Sequence, residues 1–336
     1  MIKKTKSEKE TQRRFADLVG IDFATTATKV ARLKMAKGEM VLAGLDLLPA
    51  VDFGAPASRF ELPRSIVSNY GCLSYTGRDA VARMVNTQLP ADDDGLAEEK
   101  LRELLNVTEE YRVSARLVRR GRGRQDSSLL AAAIPSDDVR FMLNMFAAGA
   151  PAPASLEISG LSFISAFLHA RGAECSESSV CLLEAGESIS HFAFLDKGEV
   201  ALVGKVPFGA KHLRSKLAED LGVDDELAAS ILSDRSINIS SSLSSVLDPF
   251  VKQLSISKDF IERHLGRRVS KIYVSGGLSL MASWSAEVGQ MLQGEVVSWS
   301  PLENIECDPG LLAEGMSEQA TRFSAAIGAA IGGFEA

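Results

Sequence analysis

The strongest constraint on this chain is a stretch that occurs twice. Val19–Gly44 reads VGIDFATTATKVARLKMAKGEMVLAG, and Leu182–Gly204 reads LLEAGESISHFAFLDKGEVALVG. In the first copy, apolar Val19 and Ile21 lead into Asp22 and a turn of small residues. Val30, Arg32 and Leu33 start a second strand, and Lys37-Gly38 turns the chain into a third, Met40–Ala43. In the second copy Glu184 stands where Asp22 stood and Gly186 where Ala24 stood. Ser188 and Ser190 supply hydroxyls, and Lys197-Gly198-Glu199 repeats Lys37-Gly38-Glu39. A weak repeat of this kind implies two similar domains facing each other.

The turn Asp22–Lys29 gathers the hydroxyls of Thr25, Thr26 and Thr28, one carboxylate and one ammonium. Such a turn can offer N–H and O–H groups to phosphate oxygens, with Lys29 adding charge and Asp22 holding a hydrated cation. A plainer reading competes: the threonines satisfy the turn's own backbone. No nucleophile–base arrangement stands beside it. His169, His191, His212 and His264 lack metal spacing, and no GxSxG, Walker A or GxGxxG pattern occurs. No catalytic residue is assigned, and His191 reads as a packed strand residue.

A length of 336 residues suits two domains. The net charge of −7 and the scarcity of aromatics argue against a nucleic-acid partner. Cys72, Cys175, Cys181 and Cys307 lie far apart and read as core thiols of a reducing compartment. No apolar run approaches a transmembrane length, and the charged N-terminus has no signal-peptide core. The expectation is a cytoplasmic protein with no direct membrane insertion.

Residues 1–14 read as a flexible basic tail. Leu45–Arg64 reads as a loop and residues 75–90 as a helix opened by Gly77-Arg78-Asp79. Asp92–Gly95 is a turn, and Glu98–Leu105 a short helix. Arg112–Arg119 and Ser127–Ile134 read as strands joined by the solvated tip Arg120–Arg124. A helix follows with Ser136 as its N-cap. The run AGAPAPA at 148–154 marks the domain boundary. Leu156–Ile158 reads as a strand and Leu161–Leu168 as a helix. Leu213, Leu217 and Leu221 line a helix capped by Gly222. Ser236–Ser245 reads as a loop and Pro249–Leu265 as an amphipathic helix with Phe260 facing inward. A strand, Lys271–Val274, ends at Ser275-Gly276-Gly277. In the last helix Ala325, Gly328, Ala329 and Gly332 leave one side bare, which implies close backbone approach to a neighbour.

Seven segments in order carry a family resemblance. They are GIDFATTATK (20–29), AAIPSDDVRFML (132–143), LEISGLSFISAF (156–167), LLEAGESIS (182–190), KVPFGAKHLRSKLAEDLG (205–222), KIYVSGGLSLM (271–281) and FSAAIGAAIGGF (323–334). Together they resemble the PilM proteins of type IV pilus assembly, which are similar to the cell-division protein FtsA. The resemblance spans roughly residues 15–336. It implies an α/β, bilobal actin-like (RNase H-like) fold: two related mixed-sheet domains around a nucleotide cleft. The first domain would span 15–152, completed by the C-terminal helix 317–336, and the second 153–316.

The resemblance further implies that Asp22, Ala24, Thr25, Thr26 and Lys29 contact the phosphates from one side. Glu184, Gly186, Glu187 and Ser188 would do so from the other, with Gly276, Gly277 and Ser279 at the adenosine. ATP is the implied cofactor, with Mg²⁺ held through water by Asp22 and Glu184. Three positions depart from the family pattern. Ala24 replaces a glycine and is tolerable only at negative φ. Glu184 replaces an aspartate, and Leu278 puts bulk beside the nucleoside. Hydrolysis is therefore expected to be slow at most. The implied partner is the cytoplasmic N-terminal segment of a bitopic, PilN-like membrane protein, held in a groove of the first domain at the inner membrane face. Self-association is compatible with this. The alternatives are a degenerate scaffold without nucleotide, an FtsA-like filament protein and a sugar kinase of the same superfamily. An FtsA-like protein should carry a C-terminal amphipathic anchor, and a kinase a catalytic carboxylate.

Overall fold

A computed structural model describes residues 15–89, 96–121, 126–147, 149–233, 240–307, 309–312 and 315–335. The basic tail, the acidic turn at 92–95 and the arginines at 122 and 124 lie outside them.

The chain opens with β1 (Asp17–Phe23), β2 (Ala27–Ala36) and β3 (Glu39–Pro49), the expected antiparallel meander. An irregular segment, 50–69, packs Phe60 edge-on against Phe23, with ring centroids 5.6 Å apart. Then come β4 (Tyr70–Tyr75), β5 (Val81–Thr87), α1 (Glu98–Leu105), β6 (Tyr111–Arg119), β7 (Ser127–Pro135), α2 (Ser136–Met145) and β8 (Ala152–Ile158).

The helix expected over 75–90 is instead β5. The apolar spacing at Ala80, Val81, Met84 and Val85 mimics a helical face, but residues 81–87 pair antiparallel with β7 along their whole length. Long-range pairing overrides local periodicity in a stretch this short. Ser136 is the first helical residue, and Pro135 stands at the cap position without a side-chain bond. From Ala152 onward the proline-rich run is already β8, an edge strand hydrogen-bonded to β4. The chain therefore leaves the first sheet after Ile158.

The second half contains α3 (Ser159–Arg171), β9 (Ser179–Ala185), β10 (Ser190–Asp196), β11 (Glu199–Val206), α4 (Ala210–Leu221), α5 (Asp225–Ser233) and α6 (Ser240–Leu265). It continues with β12 (Val269–Ser275), α7 (Ala282–Leu292), β13 (Glu295–Ser298), β14 (Glu306–Cys307) and α8 (Ser324–Glu335). The serines from 240 to 245 belong to α6, because Leu243, Leu247, Phe250 and Leu254 form one buried stripe across them. Phe260 lies off that stripe and is 54% exposed; Leu221 is likewise exposed.

Three sheets result, with orders β14-β3-β2-β1-β4-β8, β11-β10-β9-β12-β13 and β5-β7-β6. Helices α3 and α8 lie against each other. α8 covers β1, β2 and β4, whereas α3 reaches strands of both larger sheets. One apolar core joins the halves through Phe163 and Phe167 of α3, Ile327 and Ile331 of α8, Leu18 and Leu182. The bare side of α8 is explained here. A Cβ on Gly328 would sit 1.8 Å from the Ser162 carbonyl oxygen, so only glycine lets the two backbones meet. A further tie comes from Lys205 of β11. Its ammonium donates to the carbonyls of Gly77 at 3.3 Å, Ala80 at 2.6 Å, and Arg78. Cys72, Cys175 and Cys181 are buried, unpaired thiols, as expected, and burial pushes the Cys181 thiol up to about 12.

Candidate functional site

Each half ends its first strand in a buried carboxylate. Asp22 lies opposite Lys29 on β2 and beside Ser74 on β4. Glu184 lies opposite His191 on β10 and beside Ser275 on β12. Each carboxylate also accepts from the serine that opens a helix of the central pair: Ser159 Oγ to Asp22 at 2.7 Å, Ser324 Oγ to Glu184 at 2.6 Å. The match extends to the turns. Thr28 donates to the Pro49 carbonyl and Ser190 to the Phe208 carbonyl, at 3.0 and 2.9 Å. The repeat in the sequence is thus a repeat of hydrogen bonds.

The two carboxylates are satisfied unequally. Asp22 receives the Lys29 ammonium at 3.0 Å, Ser159 and, at 3.4 Å, Thr76. Glu184 receives Ser324, while His191 Nδ1 stands 3.7 Å away, beyond a hydrogen bond. Ser275 Oγ is buried, without a hydrogen-bond partner among the described residues.

One cleft gathers residues of both turns. Asp22, Ala24, Thr25, Thr26, Lys29, Glu184, Gly186, Glu187, Gly276 and Gly277 all line it. Ser188 and Ser279 do not. Ser279 is buried and donates to the Gly276 carbonyl at 2.7 Å. The cleft also takes in Thr76, Ile189, His191, Ala210 and Arg322. Thr76 and Arg322 carried no motif in the sequence. His191 did have a signal, since it stands across from Glu184 as Lys29 stands across from Asp22.

Several details bear on whether a nucleotide fits. Thr25 and Thr26 are exposed, and among the described residues nothing accepts from their hydroxyls; only Thr28 serves the turn's backbone. Ala24 is not among the positive-φ residues, so its methyl is tolerated. Leu278 is 2% exposed and packs with Trp284 and Val288 in the second half's core, and it does not line the cleft. Gly276 holds a φ of 82° against the Ala185 backbone, and space is open where a Gly277 side chain would stand. Against these, Glu187 is tied to Arg214 at 2.5 Å and Asp22 to Lys29. The cleft encloses about 90 Å³, whereas small-molecule sites usually hold about 300 Å³ or more. Among the described residues no group of three or more His, Cys, Asp or Glu side chains is arranged to hold a metal directly.

A second concavity of about 700 Å³ runs along β6 and β8, the free edges of two sheets. Leu130, Ile134, Leu156, Leu161 and Ile164 make its floor apolar, and Arg112, Arg116, Glu157 and Glu199 interrupt it. No described helix is long and apolar enough to cross a membrane.

The family model for the type IV pilus assembly protein PilM matches residues 160–334, just over half of the chain. The chain belongs to the PilM family. No curated protein matches it. Among solved structures it is similar to a PilM–PilN type IV pilus biogenesis complex, with a TM-score of 0.79 at 17% identity. That match covers 96% of this chain and 100% of the other. A Bacteroides thetaiotaomicron protein with an actin-like ATPase fold matches at a TM-score of 0.47 and 8% identity, covering 87% and 94%. An archaeal actin homologue matches at 0.43 and 11%, covering 95% and 99%. The PilM-family chain shares the fold of the PilM–PilN structure it matches, two related halves built on mixed sheets.

Proposed function

We propose that this PilM-family protein is an adaptor that holds an extended segment of a PilN-like membrane protein in the β6/β8 groove. One observation carries the reading. In a chain shaped like the PilM of a PilM–PilN complex, an apolar groove of about 700 Å³ is flanked by two free strand edges. An extended peptide adds to such an edge through main-chain hydrogen bonds and drops alternate side chains into the apolar floor. The protein is then peripheral at the inner membrane face, held there by its partner.

The cleft is the second part of the proposal. ATP binds when the halves part. Thr25, Thr26 and Lys29 hold its phosphates from one side and the Gly186–Glu187 turn from the other, with Gly276 and Gly277 beside the nucleoside. Glu184, whose second oxygen has no donor within hydrogen-bond distance, holds hydrated Mg²⁺. The magnesium ion would supply charge neutralisation at the phosphates. The proposed domains are 15–152 with 317–336, and 153–316, adjusted so that β8 and β14, which pair with strands of the first sheet, go with the first domain. The degenerate-scaffold reading is favoured by one feature, the small enclosed volume of the cleft.

Titration of a fluorescent peptide copying a PilN-like cytoplasmic N-terminus tests the groove. Binding should be saturable and should vanish in Ser165→Trp, which fills the groove from α3. Binding that survives this variant removes the groove from the reading. Thermal unfolding with ATP and Mg²⁺ tests the cleft: ligand at about 100 times its dissociation constant stabilises by roughly 2.7 kcal/mol. No shift with ATP, ADP or GTP at millimolar concentration selects the scaffold without nucleotide.

A further inference from the structure

The halves meet along α3 and α8, but beside the cleft one side chain joins them. Among the described residues, every hydrogen bond between residues 17–158 and residues 179–298 comes from the Lys205 ammonium. Among the same residues no ion pair joins the two ranges. The ammonium donates to the carbonyls of Gly77, Arg78 and Ala80, which uses all three of its N–H groups. These acceptors are neutral, and Asp79 acts on the ammonium through space. Both ends of the link reach the cleft. Lys205 stands opposite His191 in the β10–β11 ladder, and His191 lines the cleft. Gly77 follows Thr76, which also lines the cleft and donates to Ser159 at 2.7 Å and to Asp22 at 3.4 Å. β5 and β11 are end strands of separate sheets that lie against each other without sharing a ladder. The seam here is contact without main-chain bonding, closed by one ammonium.

We propose that Lys205 is a latch: while its ammonium sits on the 77–80 carbonyls the cleft stays shut, and its release admits nucleotide. This rests on the nucleotide reading above and adds its regulation. The cleft encloses about 90 Å³, too little for a nucleotide. The shut and loaded states therefore differ, and the Lys205 bonds belong to the shut one. A ligand that binds only the open state loses affinity in proportion to how rarely that state is populated. Removing the latch should then tighten nucleotide binding while it weakens the fold. Loss of a ligand contact, or of a residue that only supports the fold, would not tighten it. Neutral acceptors suit such a role. A buried carboxylate partner would make release far costlier, whereas freed carbonyls are satisfied by water.

The test compares the full chain with Lys205→Met and with Lys205→Gln, which keeps two N–H donors and guards against a folding artefact. Amide exchange without ligand comes first. Residues 22–29 and 184–190, the two turns of the cleft, should exchange faster in Lys205→Met, and Lys205→Gln should fall between it and the wild type. Titration with a fluorescent ATP analogue and Mg²⁺ comes second. Lys205→Met should bind it about tenfold more tightly than the wild type, the usual worth of a hydrogen bond to a charged group. Exchange and affinity equal to the wild type in both variants overturn the latch and leave the nucleotide reading standing. Weaker binding in the variants also overturns it, since Lys205 is then a ligand contact or a support of the fold. If no form binds nucleotide at millimolar concentration, the nucleotide reading fails, and unchanged exchange at the two turns removes the latch as well.

Discussion

The two halves of this protein carry the same hydrogen-bond plan and have used it differently. In the first, Asp22 is closed off by an ammonium and two hydroxyls. In the second, Glu184 has one firm donor, a histidine just out of reach, and an orphan serine alongside. Where a lysine stands opposite the carboxylate, the pair is internally neutralised. Where a histidine stands there, acceptor capacity is left facing the cleft.

The most disruptive way to break this comparison is to attack the contact both halves share. Gly328→Val places a branched side chain against the Ser162 carbonyl, where backbone has no freedom to yield. It should cost about 3 kcal/mol or more, seen as a lowered midpoint in urea unfolding. The carboxylates come next. Asp22→Ala strands Lys29 and should cost about 3 kcal/mol, as the loss of one partner from a buried pair does. Glu184→Ala removes one hydrogen bond and should cost about 1 kcal/mol. Equal losses in a two-variant melt would abolish the distinction drawn between the halves.

Lys205→Met tests the tie between them. It leaves the carbonyls of Gly77, Arg78 and Ala80 without their donor and should cost about 1.5 kcal/mol. Faster amide exchange over residues 76–82 should accompany it. Burial also holds the ammonium below its ordinary value. The smallest effect is on the pH profile. Burial holds the Glu157 carboxyl above the value it has in the unfolded chain, so the folded protein binds its proton more tightly. Stability from this group is full below that value and is lost as pH rises through the folded one. Glu157→Gln should flatten that decline and match or exceed the wild type at neutral pH.

Much of this was legible from residue order alone. The Lys-Gly turns and the Asp22/Glu184 correspondence marked both meanders, and the glycines of the last helix announced a backbone contact. What stayed hidden depended on distant partners. Nothing local distinguishes β5 from a helix, because its strand character comes from β7. Thr76 and Arg322 reach the cleft from segments without a motif. Leu278 stood at a position that seemed to block a ligand, yet its side chain turns into the core beside Trp284. The Ser240–Ser245 run concealed a helix because serine is a common loop residue, and only the leucines beneath it carry the signal.

The seat of Gly328 over Ser162 has a mechanical side. A notch between two main chains is stiff against sliding, because translation in either direction drives α8 into the flanking turns of α3. Rotation about the crossing moves the touching atoms least, and it is resisted by the side chains around it, Phe163, Phe167, Ile327 and Ile331. The crossing therefore favours turning of α3 and α8 on each other over sliding.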